Sequence, residues 1–461
     1  MAKKRVLVIG LDCAAPQLVF ERWKERLPNL RRLMESGAYG ELESTIPPIT
    51  CPAWMSMMTS KDPGQLGVYG FRNRKDHSYY AMQLVSSRQI QEPAVWDILG
   101  QYGMRSILVG VPPSYPPKPV HGWLVTCFLT PNSNSSYTHP PDLKPEIEGL
   151  VGDYQFDVEN FRTEEKERIL NQIYRMTDQH FAAMRHLMTT RDWDFAMLVE
   201  IGVDRIHHGF WKYFDDEHPK HTPGSPLENA IRDYYQYIDE RVGQLLRLVD
   251  EQTTVLVVSD HGAKKLDGGI CINEWLIQQG YLTARRRPDS ITPFEKVEVD
   301  WKKTKAWGEG GYYARIFLNV AGREAAGSIP PGEVQRVREE LKTKLEAMVD
   351  HQGRHIGTKV FKPEEIYKTC RGIPPDLIVY FGDLHWRSVG SLGHPEVWTF
   401  ENDTGPDDAN HAQQGIFIMA HGPTERGRKL EGLHLMDCAP TILHLFGIPI
   451  PPDMQGRVIT P

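Results

Sequence analysis

The 461-residue chain is poor in cysteine, in long apolar runs and in excess positive charge. Its 6 cysteines are Cys13, Cys51, Cys127, Cys271, Cys370 and Cys438, and no two form a C-x-x-C pair. That excludes a zinc knuckle and gives no disulfide framework. Scattered free thiols suit a reducing compartment, so a cytoplasmic location is expected. The apolar run near the N-terminus, Val6 to Leu11, is short and broken by Gly10. A secretory signal core needs about 7–15 apolar residues and a membrane span about 20. The run therefore reads as a first β-strand, and no membrane partner is expected. Lys plus Arg is 53 against 60 for Asp plus Glu, a net charge of −7. A nucleic acid polymer is a poor partner for such a surface, because that binding rests on dense positive charge. No internal repeat is visible. With 40% hydrophobic and 25% charged residues, disordered, collagen-like and coiled-coil classes are excluded.

What is present is an alternation of buried strands and amphipathic helices. Arg5–Gly10, Gly40–Ile46, Ile107–Val111, Phe195–Ile201, Thr254–Ser259 and Gly415–Ala420 read as strands, several of them nearly continuous apolar runs. Gln17–Met34, Ala53–Thr59, Thr163–Met188, about Leu227 to Val249, and Met436–Phe446 read as helices. The alternation predicts an α/β fold with a mostly parallel central sheet flanked by helices. After Gly262 the texture changes to Arg, Lys, Pro and Gly. It contains a strand at Ala314–Val320, a helix at Glu333–Val349 and a strand at Asp376–Phe381. The expected organisation is a catalytic core of residues 1–265 plus 401–461, interrupted by a cap subdomain of residues 266–400. A length prior of about 150 residues per domain would give three units; one large core with one insertion is the simpler reading.

The chain has 18 histidines, and histidine is the commonest metal ligand. Position selects among them, because ligands of open parallel sheets gather at the carboxyl ends of strands. Asp12 follows the first strand. Asp204, His207 and His208 follow Phe195–Ile201. Asp260 and His261 follow Thr254–Ser259, and His411 precedes Gly415–Ala420. Asp204 and His208 are four apart, so a helical turn puts both on one face; His207 lacks that spacing. A mixed histidine and carboxylate set suits Zn²⁺, with Mn²⁺ or Fe also compatible. Taken alone, Asp12 reads as a turn former.

Pro47-Pro48-Ile49-Thr50-Cys51-Pro52 opens a helix after the second strand. A hydroxyl at a helix N-terminus faces unpaired N–H groups, a cradle for a phosphoryl group. The plainer reading of Thr50 is a helix N-cap.

These pieces resemble the alkaline phosphatase superfamily, and most closely its type I phosphodiesterase/nucleotide pyrophosphatase family. The matching stretches are Ile9-Gly10-Leu11-Asp12, Thr50-x-Pro52 through Met58-Thr59 and Gly67-Val68, Asp204 to His208, Ser259-Asp260-His261-Gly262, and His411 before Gly415-Ile416-Phe417. Met436 to Leu443, Gly447-Ile448-Pro449 and Asp453 to Gly456 complete the order. The resemblance implies a metal-dependent phosphohydrolase with two divalent ions, Zn²⁺ or Mn²⁺. Asp204, His208 and His411 would hold one ion; Asp12, Thr50, Asp260 and His261 would hold the other. Thr50 would be the nucleophile, forming a phospho-threonine. Phosphomonoesterase and phosphomutase chemistry occur in the same superfamily, although the mutases use Ser where Thr50 stands. The sulfatase signature Cys-x-Pro-x-Arg fails, since Cys51 is followed directly by Pro52 and the Arg is missing. A non-catalytic binding protein is disfavoured by the complete ligand set.

One departure concerns the substrate. Where nucleotide pyrophosphatases carry a phosphate-binding Asn, this chain has Phe71, leaving Arg72, Asn73 and Arg74 as candidate replacements. In the insertion, Trp307, with Trp301, Tyr312 and Tyr313, is placed to stack on a base or sugar. Arg285–Arg287 and Lys302–Lys305 are candidates for acidic groups, and Gly308, Gly310 and Gly311 for a flexible mouth. The expected substrate is a small phosphoester, of nucleotide or sugar-phosphate type. Histidine ligands must be neutral, so metal occupancy should fall as pH drops.

Overall fold

The computed structural model describes residues 4–422 and 427–460. Its centre is a 10-stranded sheet. From one edge the strands run Arg428–Lys429, Ala38–Glu43, Gln414–His421, Thr253–Val258, Arg5–Leu11, Phe195–Glu200, Ser106–Val109, Gly122–Val125 and Thr138–His139, with Leu433–His434 also on Ala38–Glu43. Arg5–Leu11 is parallel to both neighbours, and the sheet stays parallel out to Gly122–Val125. Gln414–His421 is antiparallel to the strands on either side of it.

Period-two alternation sends side chains of one strand to opposite faces. Leu7, Ile9 and Leu11 join one apolar cluster with the helices Lys166–Thr190, Gly202–Phe214 and Ala230–Leu246. Val6 and Val8 join the other, with Thr50–Thr59, Val95–Gln101 and Cys438–Phe446. Both faces are covered, which is why these strands read as unbroken apolar runs. Each fully buried Leu or Ile contributes about 1.5–3 kcal/mol.

Local structure departs from the sequence reading in places. The single helix expected over Gln17–Met34 is three pieces: a π-turn at Gln17–Arg22, a 3-10 turn at Lys24–Arg26 and an α-helix at Pro28–Ser36. Pro28 removes a backbone donor and disfavours helical geometry at Leu27, so a new helix starts there. The second strand begins earlier, at Ala38, because its pairing with Gln414–His421 runs from Ala38↔Met419 to Glu43↔Gln414. The helix after Pro48 starts at Thr50 rather than Ala53. Pro52 fits inside its first turn, where backbone N–H groups lack helical partners anyway.

Residues of the 266–400 stretch build a four-stranded antiparallel sheet, Ala306–Glu309, Ala314–Leu318, Leu377–Tyr380 and Lys359–Phe361, packed with the helix Val334–Glu346. Trp275, Phe317, Leu341 and Leu345 belong to its own apolar cluster. The chain leaves the central sheet through Gly262–Lys265 and returns through Ala409–Ala412, and these two strands pair antiparallel. A tyrosine-rich cluster, including Tyr69, Tyr313, Tyr367 and Tyr380, joins the two bodies. All 6 cysteines are free, and only Cys370 is exposed. Among the described residues no helix is long and apolar enough to cross a membrane.

Candidate active site

The first acidic ligand candidate follows the end of the central strand. The Asp12 backbone N–H is held by the Glu200 carbonyl at 3.1 Å. One carboxylate oxygen, Oδ2, accepts from Trp54 Nε1 at 2.7 Å. The other, Oδ1, is buried with no hydrogen-bond partner, as are Asp260 Oδ2 and His261 Nε2. These three orphaned atoms face one another: His261 Nε2 lies 3.2 Å from Asp260 Oδ2 and 3.8 Å from Asp12 Oδ1. The turn that carries them is strained. Cys13 has φ 66°, in the left-handed region that non-glycine residues rarely adopt, and its N–H donates to Asp260 Oδ1 at 3.2 Å. Such strain concentrates at functional sites.

A second group sits beside it. Glu200 Oε1 accepts from the Gly202 N–H and so anchors the start of the helix Gly202–Phe214. Asp204 lies in the first turn of that helix, where a negative charge is favoured. His208 Nε2 is 3.2 Å from Asp204 Oδ1 and 3.3 Å from His411 Nε2, and His411 Nε2 is 3.6 Å from Asp204 Oδ1. The other ring nitrogens are committed: His208 Nδ1 donates to Asp407 Oδ1 at 2.7 Å and His411 Nδ1 to the Pro48 carbonyl at 2.7 Å. Two imidazole lone pairs and a carboxylate oxygen therefore converge with no donor left between them. A cation satisfies that arrangement, and so do the orphaned atoms of the first group. His261 reaches both groups, its ring stacked on His411 with centroids 3.8 Å apart. Of the adjacent pair, His208 faces Asp204 and His207 turns away into the core, with Nε2 3.1 Å from the Tyr235 hydroxyl.

The titration behaviour matches a site built for positive charge. Burial and the Asp204 charge push Asp12 well above the usual carboxylate range. Burial and Asp12 do the same to Asp260. Asp204 is held well below that range: burial raises it, but His208 and His411 outweigh burial. His261 and His411 are lowered, chiefly by burial. His208 is the exception. Burial opposes its charge, yet Tyr312, Asp407 and Asp204 raise it well above the ordinary histidine value. At Asp12, Asp260 and His208 a proton would compete with a cation for the same atoms. Metal uptake near neutral pH is therefore expected to release protons, and occupancy to fall as the medium is acidified. Calorimetric metal titrations in buffers of different ionisation enthalpy measure the release; occupancy that stays flat from mildly acidic to alkaline pH contradicts it.

Thr50 is buried at the first position of the helix Thr50–Thr59. It is not the N-cap. Ile49 holds that position, with no side-chain capping bond. The segment is pinned on either side of Thr50: Pro48 accepts from His411, and Trp54 donates to Asp12. The segment from Pro48 to Trp54 is thus tied to both ligand groups.

The candidate substrate residues fare differently. The Asn73 amide closes its own turn, accepting from the Tyr69 N–H and donating to the Gly70 carbonyl. Arg74 is buried against Glu324 at 3.1 Å, with its guanidinium over the Trp307 and Phe317 rings. Trp307 is 1% exposed and also packs edge-on against Trp301. In this structure these three residues are held by contacts within the protein, and Trp307 lies in the apolar core of the insertion. Arg74→Ala is expected to cost about 3 kcal/mol, because it strips Glu324 of a buried partner while Arg323 remains; chemical denaturation measures this. Arg72 is exposed, pairs with Leu84 in a short hairpin, and its carbonyl accepts from Arg315. Phe71 is half-buried, its ring 6.1 Å from Phe128.

Other residues at the site escaped the strand-end search. Arg205 bridges Asp204 and Asp157, meeting the latter with two bonds of 2.7 and 2.8 Å. Tyr312 stacks on His411 and His208, with centroids 4.2 and 4.8 Å apart. It reads as a substrate aromatic in the sequence but covers the imidazoles instead. Asn410 donates to the Tyr312 and Leu384 carbonyls and fixes the insertion to the His411 strand. Asp407 lies four residues before His411, a proximity that could have flagged it.

Residues 6–408 match the family Type I phosphodiesterase / nucleotide pyrophosphatase. The chain belongs to this family. It is a phosphoric ester hydrolase of the phosphodiesterase and pyrophosphatase type, and the family is metal-dependent. Solved structures with the same fold include human ectonucleotide pyrophosphatase / phosphodiesterase 5, at 14% identity and TM-score 0.54, covering 97% of this chain and 96% of that one. The murine protein, in an inactive form in complex with AMP, gives TM-score 0.55 at 14% identity, covering 98% and 96%. No curated protein matches the chain.

Proposed function

We propose that this hydrolase cleaves small phosphodiesters or pyrophosphates of nucleotide type, with Thr50 as nucleophile between two divalent cations. The observation that carries the reading is the pair of adjacent buried ligand groups, one of Asp12, Asp260 and His261 and one of Asp204, His261 and His411, with His208 beside the second, both hydrogen-bonded to the segment that carries Thr50. Asp12, Asp260 and His261, with Thr50, would hold one cation; Asp204, His208 and His411 would hold the other. Bound there, Zn²⁺ or Mn²⁺ would neutralise phosphoryl oxygens and favour the ionised threonine hydroxyl. The chain's own residues do the rest. The N–H groups at the start of the Thr50–Thr59 helix would be available to a non-bridging oxygen. Trp54 fixes the Asp12 carboxylate, and the Pro48 carbonyl fixes the His411 tautomer. Attack by Thr50 Oγ forms the O–P bond of a phospho-threonine as the bond to one ester oxygen breaks. Water then cleaves the phospho-threonine and returns the hydroxyl. The AMP seen in the murine relative supports a nucleotide-like group. Residues 266–400 would act as the cap, since they supply Tyr312 and Arg387 around the second group.

The test uses the purified chain stripped with a chelator and reloaded with Zn²⁺ or Mn²⁺. Turnover of bis(p-nitrophenyl) phosphate should vanish on stripping and return with about two equivalents of metal. It should exceed turnover of p-nitrophenyl phosphate. Activity that survives stripping overturns the metal reading; a clear preference for the monoester overturns the diester reading.

A further inference from the structure

The Asp407 carboxylate is 0% exposed and gathers four donors. Oδ1 accepts from His208 Nδ1 at 2.7 Å. Oδ2 accepts from Arg162 Nε at 3.1 Å, Arg387 Nη1 at 3.3 Å and the Tyr312 hydroxyl at 3.4 Å. The donors come from separate parts of the chain: the helix Gly202–Phe214, the segment before Lys166, and two places in the 266–400 insertion. Arg162 also donates to the Tyr312 hydroxyl at 2.7 Å. With two guanidiniums on Oδ2, Asp407 is a buried carboxylate acceptor.

We propose that Asp407 is a positioning residue for His208: it keeps the proton on Nδ1, aims the Nε2 lone pair at Asp204 and His411, and ties that aim to the insertion through Arg387 and Tyr312. The inference rests on the reading of His208 as a metal ligand. The physical case is direct. A neutral imidazole can carry its one proton on either nitrogen, and the hydrogen bond made by one nitrogen decides which is free. A charge-assisted bond at 2.7 Å to a carboxylate that cannot reach water makes one tautomer strongly preferred. The same bond fixes the ring plane. Two guanidiniums on the far oxygen keep the carboxylate from rotating and offset its burial. His411 needs no such partner, because the Pro48 carbonyl does the equivalent work on its Nδ1. The two histidines of one group are therefore oriented by different parts of the molecule, one by the nucleophile segment and one by the junction with the insertion.

The experiment compares metal binding by the full chain, its Asp407→Asn variant and its Arg387→Gln variant, using competition with a chelator and Co²⁺ absorption. The wild type should load about two ions. Asp407→Asn should weaken one of them by about 10–100-fold and leave the other unchanged, with a shifted Co²⁺ spectrum. Arg387→Gln removes one of the two guanidiniums on the far oxygen but leaves Arg162 and the contact to His208 in place, so it should weaken the same ion only about threefold, clearly less than Asp407→Asn does. A variant Asp407→Asn that loads both ions like the wild type overturns the proposal. So does an Arg387→Gln variant that loses as much as Asp407→Asn, since the effect would then be general loosening. A wild type that binds no ion overturns the metal site itself, a separate outcome. If Asp407→Asn does not fold, long-range ¹H–¹⁵N spectra of the Zn²⁺-loaded wild type decide: the proposal requires His208 protonated at Nδ1, and a proton on Nε2 overturns it.

Discussion

Replacing Thr50 with alanine is expected to lower turnover of an aryl phosphodiester by at least about 10³-fold, the scale of losing a nucleophile. The same change should move stability by less than about 1 kcal/mol, because the threonine caps nothing: Ile49 occupies the N-cap and the helix opens without a side-chain bond. The separation of the two effects is what makes the variant informative. A buried hydroxyl at the first turn of a buried helix has no structural task visible in its contacts, so its loss should be felt in chemistry alone. Metal content should persist, since Asp12, Asp260 and His261 remain. Thr50→Ser keeps a hydroxyl at the same place and should retain most of the activity that alanine removes. Rapid quenching and mass analysis should find phosphate on residue 50 of the active protein. Unchanged turnover in Thr50→Ala would sink the nucleophile assignment.

The second large effect is on Trp54. Its side chain is fully buried in the apolar cluster that holds Val6 and Val8, and its indole N–H donates to Asp12 Oδ2. Trp54→Ala should cost about 3–5 kcal/mol through the cavity it leaves. Trp54→Phe keeps most of the ring and removes the donor, so it should cost about 1–3 kcal/mol. Metal affinity in the phenylalanine variant should also fall about 10-fold, because a ligand carboxylate loses its orienting bond. Gly10 belongs to the same fit: a Cβ there would stand 2.5 Å from the Trp54 ring. Equilibrium denaturation and chelator competition on Trp54→Ala and Trp54→Phe separate packing from orientation. A phenylalanine variant that binds metal like the wild type would show that the indole bond does not support the site.

Much of the architecture is legible from local pattern. Buried parallel strands announce themselves as apolar runs, and Asp12, Asp204, Asp260 and His261 all fall just beyond such runs. Helical spacing separates His208 from His207, and the structure puts His207 against Tyr235. What stays hidden is set by contacts distant in sequence. Asp407 meets Arg162 across 245 residues and His208 across 199. Nothing near Arg74 indicates that Glu324 lies 250 residues away and takes its charge. Trp307 shows the same limit from the other side, because composition marks an aromatic but not whether its face is already covered. The broken helix after Gln17 is a different kind of miss. Its apolar spacing is helical, and a single proline at position 28 overrides it.

The strand Gln414–His421 lies in the interior of the sheet, between Ala38–Glu43 and Thr253–Val258. During synthesis, then, the two flanking strands exist for more than 150 residues with a slot between them. The sheet stays split until the chain has made the whole insertion and come back. His411 and Asp407 arrive with the closing strand, so the second ligand group assembles last. Any metal held there would have to wait until residues 407–421 are made, and a ribosome-bound chain halted before residue 407 should display a divided sheet and half a site.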